Sequence, residues 1–144
     1  MYGDSLEPLI SAERLQIRVR ELACRISTDY PTSSNAPELR LIGVLKGSFI
    51  FMADLVRQIE RDVSVDFLSV SSYGSSTKSS GKMQIQQDLS HEIGGIDVVL
   101  VEDIIDTGTT LNYLSDALRQ CKPRSLRIAV LLDKPSRHMV KISP

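Results

Sequence analysis

The sequence predicts an α/β protein, a parallel sheet with helices on both faces. Short apolar runs of strand length alternate with segments of helical periodicity. Several of these runs are continuous Val, Ile and Leu, which is typical of parallel strands because both of their faces are buried. The chain has 144 residues and shows no internal repeat or linker-like stretch, so we expect one domain over residues 1–144.

The first half of the chain supplies two helices and two strands of this pattern. Ser11 is placed to cap the first helix, whose apolar residues recur at spacings of three and four: Leu15, Val19, Leu22 and Ile26. A turn-rich segment over 29–38 precedes a buried strand over 39–45. A helix over 49–59 and a strand over 63–70 follow.

The second half begins with a segment unlike the rest, residues 71–82, in which half of the residues are Ser. We expect an exposed, flexible loop there. A short strand over 83–89 and the most apolar strand, over 96–105, come next, and then a helix over 109–121 and a last buried strand over 125–132. In a parallel sheet, ligands bind in the crevice at the carboxyl ends of the strands.

Composition excludes several classes of protein. Lys and Arg number 17 against 18 Asp and Glu, a net charge of −1, which favours neither a nucleic-acid-binding surface nor an acidic disordered tail. No apolar run reaches the roughly 18 residues of a membrane span. The N-terminus lacks the basic segment and the long apolar segment of a secretory signal. Two cysteines, Cys24 and Cys121, cannot form a disulfide-rich scaffold, and both are predicted as small core residues on apolar helix faces. We therefore expect a cytoplasmic protein with no nucleic-acid or membrane partner.

The segment 98–111 contains the acidic and small polar residues that commonly form binding and catalytic sites. It ends a buried strand with three acids and continues through four small residues into a helix: Glu102, Asp103, Asp106, Thr107, Gly108, Thr109 and Thr110. Amide groups at a helix start and Thr hydroxyls form a cradle for an anion such as phosphate, and Gly108 lets the backbone approach it. Acids beside a phosphate repel it, unless a divalent metal such as Mg²⁺ lies between them or the acids accept hydrogen bonds from sugar hydroxyls. The residues alone leave both arrangements open.

Other interpretations of this segment are weaker. Asp106-Thr107-Gly108 matches the Asp-Thr-Gly of aspartic proteases, but there the chain turns back into a strand, whereas here the next residues are helical. Phosphatases with an Asp nucleophile need a second Asp at the position that Gly108 occupies. The sequence contains neither of the Gly-rich loops that bind nucleoside triphosphates and dinucleotides. The plainest alternative is a set of solvated acids at a strand end, followed by a helix cap.

Residues 98–111 resemble the phosphoribosyl pyrophosphate (PRPP) signature of type I phosphoribosyltransferases: a buried strand, two acids, two apolar residues and Asp-Thr-Gly-x-Thr. Segments 41–55, 65–74 and 131–137 are similar to hypoxanthine(-guanine) phosphoribosyltransferases, and the likeness covers about residues 6–144. The resemblance implies the type I phosphoribosyltransferase fold and a role in purine salvage. In that reaction a 6-oxopurine, hypoxanthine or guanine, reacts with PRPP and Mg²⁺ to give the nucleoside monophosphate and pyrophosphate.

The resemblance also implies roles for the residues of the segment itself. Glu102 and Asp103 would hold the ribose hydroxyls, directly or through the metal. Asp106 would be the general base near N7 of the purine, and residues 107–110 would bind the 5′-phosphate.

Three other parts of the chain complete the implied site. Lys46 and Gly47 would form the pyrophosphate loop, whose peptide is often cis in this family. Ser72 and Tyr73 would belong to a lid, formed by the Ser-rich loop, that keeps water from the reacting centre. Lys134 would contact the exocyclic oxygen of a 6-oxopurine, since an ammonium group only donates hydrogen bonds.

The chain departs from the family pattern at two points. Position 138 is His, where the family often has a second basic residue near the pyrophosphate. The family also continues for some tens of residues beyond Pro144, with a further strand and an aromatic residue that stacks on the purine. We therefore expect the base-binding hood to be missing, and an alternative function is a non-catalytic or inactive truncated module that binds PRPP or nucleotide. The family's dimers or tetramers imply a homo-oligomer.

Overall fold

A computed structural model describes residues 7–72 and 83–142 of the chain. The three helices in these ranges are α1 (Ala12–Asp29), α2 (Phe49–Val56) and α3 (Thr109–Gln120). The five strands are β1 (Leu39–Val44), β2 (Ser64–Ser72), β3 (Met83–Gln87), β4 (Asp97–Ile105) and β5 (Ser125–Asp133). A short 3-10 turn at Pro135–Arg137 follows β5. The predicted order of helices and strands is confirmed.

The strands form one sheet in the order β3-β2-β1-β4-β5. β1 lies parallel to both β2 and β4, and β4 lies parallel to β5. The edge strand β3 is antiparallel to β2, which differs from the expectation of an all-parallel sheet. Only residues 73–82 separate β2 from β3, fewer than the dozen or so residues that a parallel crossover needs.

The sheet is covered on both faces, as predicted. On one face, α1 and α2 pack through Val19, Ala23, Phe51 and Leu55 against residues of β1 and β4. On the other face, α3 packs through its own leucines in a second apolar cluster with alternate residues of the same strands. β1 is buried along its whole length, and apart from Arg40 its residues are apolar or Gly, as is typical of a strand covered on both faces. The carboxyl ends of the four parallel strands therefore lie along one edge, between the two helical layers.

The helix ends differ from expectation in small ways. Ser11 caps α1 as predicted, because its side-chain oxygen accepts a hydrogen bond from the amide of Arg14 at 3.2 Å. α2 ends at Val56, three residues earlier than its apolar pattern predicts. Within the described ranges, no helix is long and apolar enough to span a membrane.

The prediction that both cysteines belong to the core is wrong, because Cys24 and Cys121 are exposed. The buried face of α1 includes Ala23, and one residue further along a helix turns the side chain by about 100°. Cys121 lies just beyond the last turn of α3, where the chain leaves the helix. The helical pattern therefore placed each thiol on a buried helix face when the buried position is one residue earlier in α1 and the helix ends one residue earlier in α3.

Candidate active site

The turn after β1 and the end of β4 meet at the carboxyl edge of the sheet. Gly43 of β1 pairs with Val101 of β4, so both strands end on the same side. A Cβ atom added at Gly47 would lie 2.8 Å from Oδ2 of Asp103, closer than a Cβ atom approaches a non-bonded oxygen. The absence of a side chain at Gly47 therefore lets this loop lie directly against the acid.

The loop itself is held by hydrogen bonds from beneath. The amide of Leu45 donates to the carbonyl oxygen of Leu68 in β2 at 2.8 Å. The buried hydroxyl of Ser48 donates to the carbonyl oxygen of Val44 at 2.7 Å. A cis peptide lies in this loop, between Leu45 and Lys46, and the side chain of Lys46 is exposed. The backbone of the loop is therefore ordered by its neighbours, while the lysine is available to a ligand.

Glu102 and Asp103 lie side by side near the end of β4, both half-buried. Burial, together with the hydrogen bond and the negative charge of the Asp103 carboxyl group, raises the pKa of Glu102 to about 8. Oε1 of Glu102 accepts a hydrogen bond from the amide of Asp103 at 3.1 Å, and Oδ1 of Asp103 accepts one from Ile104 at 2.8 Å. Asp103 and Gly47 also border a cavity of about 520 Å³ between α1 and α2. Two neighbouring carboxyl groups, of which that of Asp103 borders open space, suit a cation or a ligand rich in hydroxyl groups.

The Thr-rich turn between β4 and α3 has the features of an anion cradle. Gly108 precedes the first turn of α3 with φ of 83°, a conformation that glycine adopts readily, and it has no side chain with which to cap the helix. The amide of Thr109 makes one long hydrogen bond, 3.4 Å, to Oγ1 of Thr107. The hydroxyls of Thr107 and Thr109 lie 2.9 Å apart and are hydrogen-bonded. Apart from the amide of Thr109, the first-turn amides of α3 therefore remain open to an anionic ligand.

The back of this turn is covered by the last described residues. A Cβ atom at Gly108 would lie 2.6 Å from Cδ1 of Ile142 and 3.1 Å from Cγ2 of Val140. Glycine at this position thus serves two needs, the positive φ and the close packing of the chain that follows β5. The sequence prediction for Gly108 was a close approach of the backbone to the anion, and it named neither of these two needs.

Asp106 lies in the turn that follows β4, close to two cationic side chains. Its Oδ1 accepts a hydrogen bond from Nε of Arg137 at 2.9 Å. This hydrogen bond, followed by the charges of Arg137 and Lys134, holds the pKa of Asp106 below its usual value. The carboxyl group is about half exposed, so it is ionised at neutral pH and reachable from solvent.

The structure brings Lys134 to this site as the residue that follows β5. Its amide donates to the carbonyl oxygen of Ile105, the residue before Asp106, at 2.9 Å. Next to it, Nε2 of His138 lies 2.6 Å from Oδ1 of Asp133, which closes the turn. His138 therefore has a partner within its own turn.

Sequence reasoning missed the contact between Arg137 and Asp106. A signal was present, since Arg137 lies in the segment 131–137 that supplied part of the resemblance, but no periodicity places its side chain on a loop 31 residues earlier. Of the predicted lid residues, Ser72 is the last residue of β2 and Tyr73 lies outside the described residues.

Comparison with known proteins agrees with this geometry. The family model of the phosphoribosyl transferase domain matches residues 9–144. The hypoxanthine-guanine phosphoribosyltransferase of Mycobacterium tuberculosis is 46% identical over 135 residues, which cover 92% of this chain and 67% of that protein. The Bacillus subtilis enzyme of the same name is 44% identical over 136 residues, covering 94% of this chain and 73% of that protein.

Solved structures give the same result. A crystal structure of a hypoxanthine-guanine phosphoribosyltransferase from Bacillus anthracis superposes with a TM-score of 0.85 at 44% identity, over 97% of this chain and 79% of that one. This chain thus spans roughly two thirds to four fifths of the length of these relatives. By sequence and by fold, the chain belongs to the phosphoribosyltransferase family, among the hypoxanthine-guanine phosphoribosyltransferases.

Proposed function

We propose that this chain transfers the 5-phosphoribosyl group of PRPP to a 6-oxopurine, hypoxanthine or guanine, and so serves purine salvage. The observation that carries the proposal is the meeting of four predicted parts at one sheet edge: Gly47, Asp103, Asp106 and Lys134. The relatives named above are enzymes, which favours catalysis over the alternative of a non-catalytic nucleotide-binding module.

The donor half of the site accounts for the phosphates and the ribose. The first turn of α3, with Thr107 to Thr110, binds the 5′-phosphate through open amides and hydroxyls. Lys46 and Gly47 bind the pyrophosphate, for which the exposed lysine and the unobstructed backbone are suited. Glu102 and Asp103 accept hydrogen bonds from the ribose hydroxyls.

The residues present also fit a Mg²⁺ ion. Among the residues that the structure describes, no group of three or more His, Cys, Asp or Glu side chains is placed to hold a metal, so the chain does not form a complete cage. Mg²⁺ commonly uses one or two carboxylates with substrate oxygens and water, and Glu102 and Asp103 are such a pair. When bound, the ion would neutralise charge on the leaving pyrophosphate. The raised pKa of Glu102 supports this assignment, because the crowding of two carboxyl groups is relieved by a cation.

The acceptor half places a base and a donor around the purine. The bond from C1′ of the ribose to pyrophosphate breaks and its electron pair leaves with pyrophosphate, while a purine nitrogen bonds to C1′. Asp106 accepts the proton that the purine ring gives up, and its ionised state prepares it for that role. Lys134 donates to the 6-oxo group and would meet a donor in a 6-aminopurine, which gives selectivity.

Water must be excluded during this transfer, because the ribosyl cation that develops would otherwise be hydrolysed. The lid role of Ser72 and Tyr73 stays a prediction, since the loop after β2 lies outside the described residues. A cytoplasmic location also stays a prediction, and the two exposed free thiols fit a reducing compartment.

Self-association remains part of the proposal. Phe49 and Ile50 begin α2 immediately after the pyrophosphate loop, and they are 53% and 59% exposed. Two adjacent exposed apolar side chains favour a contact with a second copy of the chain, in a dimer or tetramer. Sedimentation of the wild type and of Phe49→Ser tests this, and a wild type that stays monomeric at all concentrations would contradict it.

Two successive measurements test the proposed reaction. Titration calorimetry with PRPP and Mg²⁺ should give saturable binding, and addition of hypoxanthine or guanine should then release pyrophosphate. A chain that fails to bind PRPP would overturn the proposal. A chain that binds PRPP but releases no pyrophosphate with either purine would instead support the non-catalytic alternative.

A further inference from the structure

One oxygen of the Asp106 carboxylate is held by a side chain to which the proposed reaction gives no role. Nε of Arg137 donates to Oδ1 at 2.9 Å. In the described part of the chain, Oδ2 of the same carboxylate has no hydrogen-bond partner. The two oxygens therefore differ, one fixed by a guanidinium and the other open.

Main-chain hydrogen bonds determine where this guanidinium lies. The amide of Lys134 donates to the carbonyl oxygen of Ile105 at 2.9 Å, on one side of Asp106. The amide of Met139 donates to the carbonyl oxygen of Thr107 at 2.8 Å, on the other side. A single 3-10 turn spans the residues between these two anchors. The turn therefore crosses directly over Asp106, and a side chain near its end reaches the carboxylate.

We propose that Arg137 is a positioning residue for the transfer reaction. By holding Oδ1 of Asp106, it turns Oδ2 toward the purine, and Oδ2 accepts the ring proton while the electron pair of the N–H bond stays in the purine. The inference rests on the proposed function of Asp106 as the general base. Arg137 itself exchanges no proton, because a guanidinium remains charged throughout the pH range of the reaction.

The contact between Arg137 and Asp106 differs from an ordinary surface ion pair because one of its partners is the proposed general base. Arg119 and Asp116 form such an ordinary pair within α3, at 3.3 Å with both side chains more than half exposed. Pairs of that kind contribute little. The Arg137 pair is similarly exposed, so its value for stability is also small. The contact affects catalysis because it orients the carboxyl group of Asp106, and misplacement of a reacting group by about 1 Å can lower the rate about a hundredfold.

The test compares the wild type with Arg137→Met, which keeps the length of the side chain and removes the donor. We expect kcat with hypoxanthine or guanine to fall about tenfold, while the dissociation constant for PRPP and Mg²⁺ changes less than about twofold. Arg137→Lys, which restores a cationic donor, should recover part of kcat. The matched control is Arg119→Met, which should leave kcat within about twofold of the wild type.

A second comparison separates positioning from other effects. In an Asp106→Asn background, Arg137→Met should cause no further loss of kcat, because the oriented carboxylate is already gone. An equal loss in both backgrounds, or a full kcat in Arg137→Met, would overturn this inference and leave the proposed function standing. A wild type that binds PRPP but transfers nothing would overturn the proposed function, and this inference with it.

Discussion

Replacing Gly47 with Ala tests whether the contact between the two loops matters for binding. The added Cβ would lie 2.8 Å from Oδ2 and 3.1 Å from Oδ1 of Asp103, about 0.6 Å short of an ordinary contact with Oδ2. The carboxyl group can move away only by giving up its position, in which Oδ1 accepts a 2.8 Å hydrogen bond from the amide of Ile104.

The cost follows from that hydrogen bond. A hydrogen bond to a charged group contributes about 1.5–3 kcal/mol. Under the proposed function, PRPP binding needs Asp103 in the position that the new methyl group opposes. If the free energy of this hydrogen bond is lost on binding, the dissociation constant for PRPP with Mg²⁺ should rise about 10- to 150-fold. Titration calorimetry measures this directly, and a thermal melt checks that the variant is folded.

Two further variants make the result decisive. Gly94→Ala is the matched control, since its added Cβ would come no closer than 3.4 Å to any atom, the carbonyl oxygen of Cys121. In an Asp103→Ala background, Gly47→Ala should have almost no additional effect, because the opposing carboxyl group is absent. A folded Gly47→Ala that binds PRPP within twofold of the wild type would refute the assignment of this contact to the binding site.

Three other predictions concern the acids and the lysine of the site. Asp106→Asn should lower kcat about 10²- to 10⁴-fold while PRPP binding stays nearly unchanged, as rapid-quench assay and calorimetry would measure; an equal loss of binding would make Asp106 a ligand contact. Glu102 has an ordinary pKa of 4.5 and a folded value of about 8, so its contribution to stability is fully present below about pH 4.5 and is lost as pH rises toward 8. Without metal, Glu102→Gln should therefore melt at a higher temperature than the wild type above pH 8, and an identical pH dependence in both would contradict the raised value. Lys134→Gln should lose about 10- to 150-fold in kcat/KM for hypoxanthine and lose preference over adenine; an unchanged preference in competition assays would contradict the assigned contact.

The order of helices and strands could be predicted because it depends on local patterns. The mostly apolar strand β1 is buried along its whole length, and the capping oxygen of Ser11 lies where the helical pattern begins. The direction of β3 could not be read from its own residues, because a strand pattern is the same in either direction. It follows from the length of the connection to β2, which is a constraint between elements.

The parts of the site that sequence could locate are those in which adjacent residues act together. The acids at 102, 103 and 106 and the turn at 107–110 form one continuous segment, so their proximity follows from chain connectivity. The contact of Asp106 with Arg137 joins residues 31 apart, and the packing of Ile142 on Gly108 joins residues 34 apart in sequence. Such contacts depend on how the chain returns after β5, which no pattern within either segment encodes.

The two ends of the acidic segment have opposite electrostatic surroundings, and this difference supports a division of roles. Burial and the neighbouring Asp103 raise the pKa of Glu102, so in the absence of a cation this end favours a neutral carboxyl group. The hydrogen bond and charge of Arg137, with the charge of Lys134, lower the pKa of Asp106 only four residues later. Groups whose surroundings shift their pKa values in opposite directions suit different tasks in one site. An acid that needs a cation to ionise is suited to bind Mg²⁺ and ribose, whereas an acid that is ionised at neutral pH has the unprotonated oxygen that a proton acceptor requires.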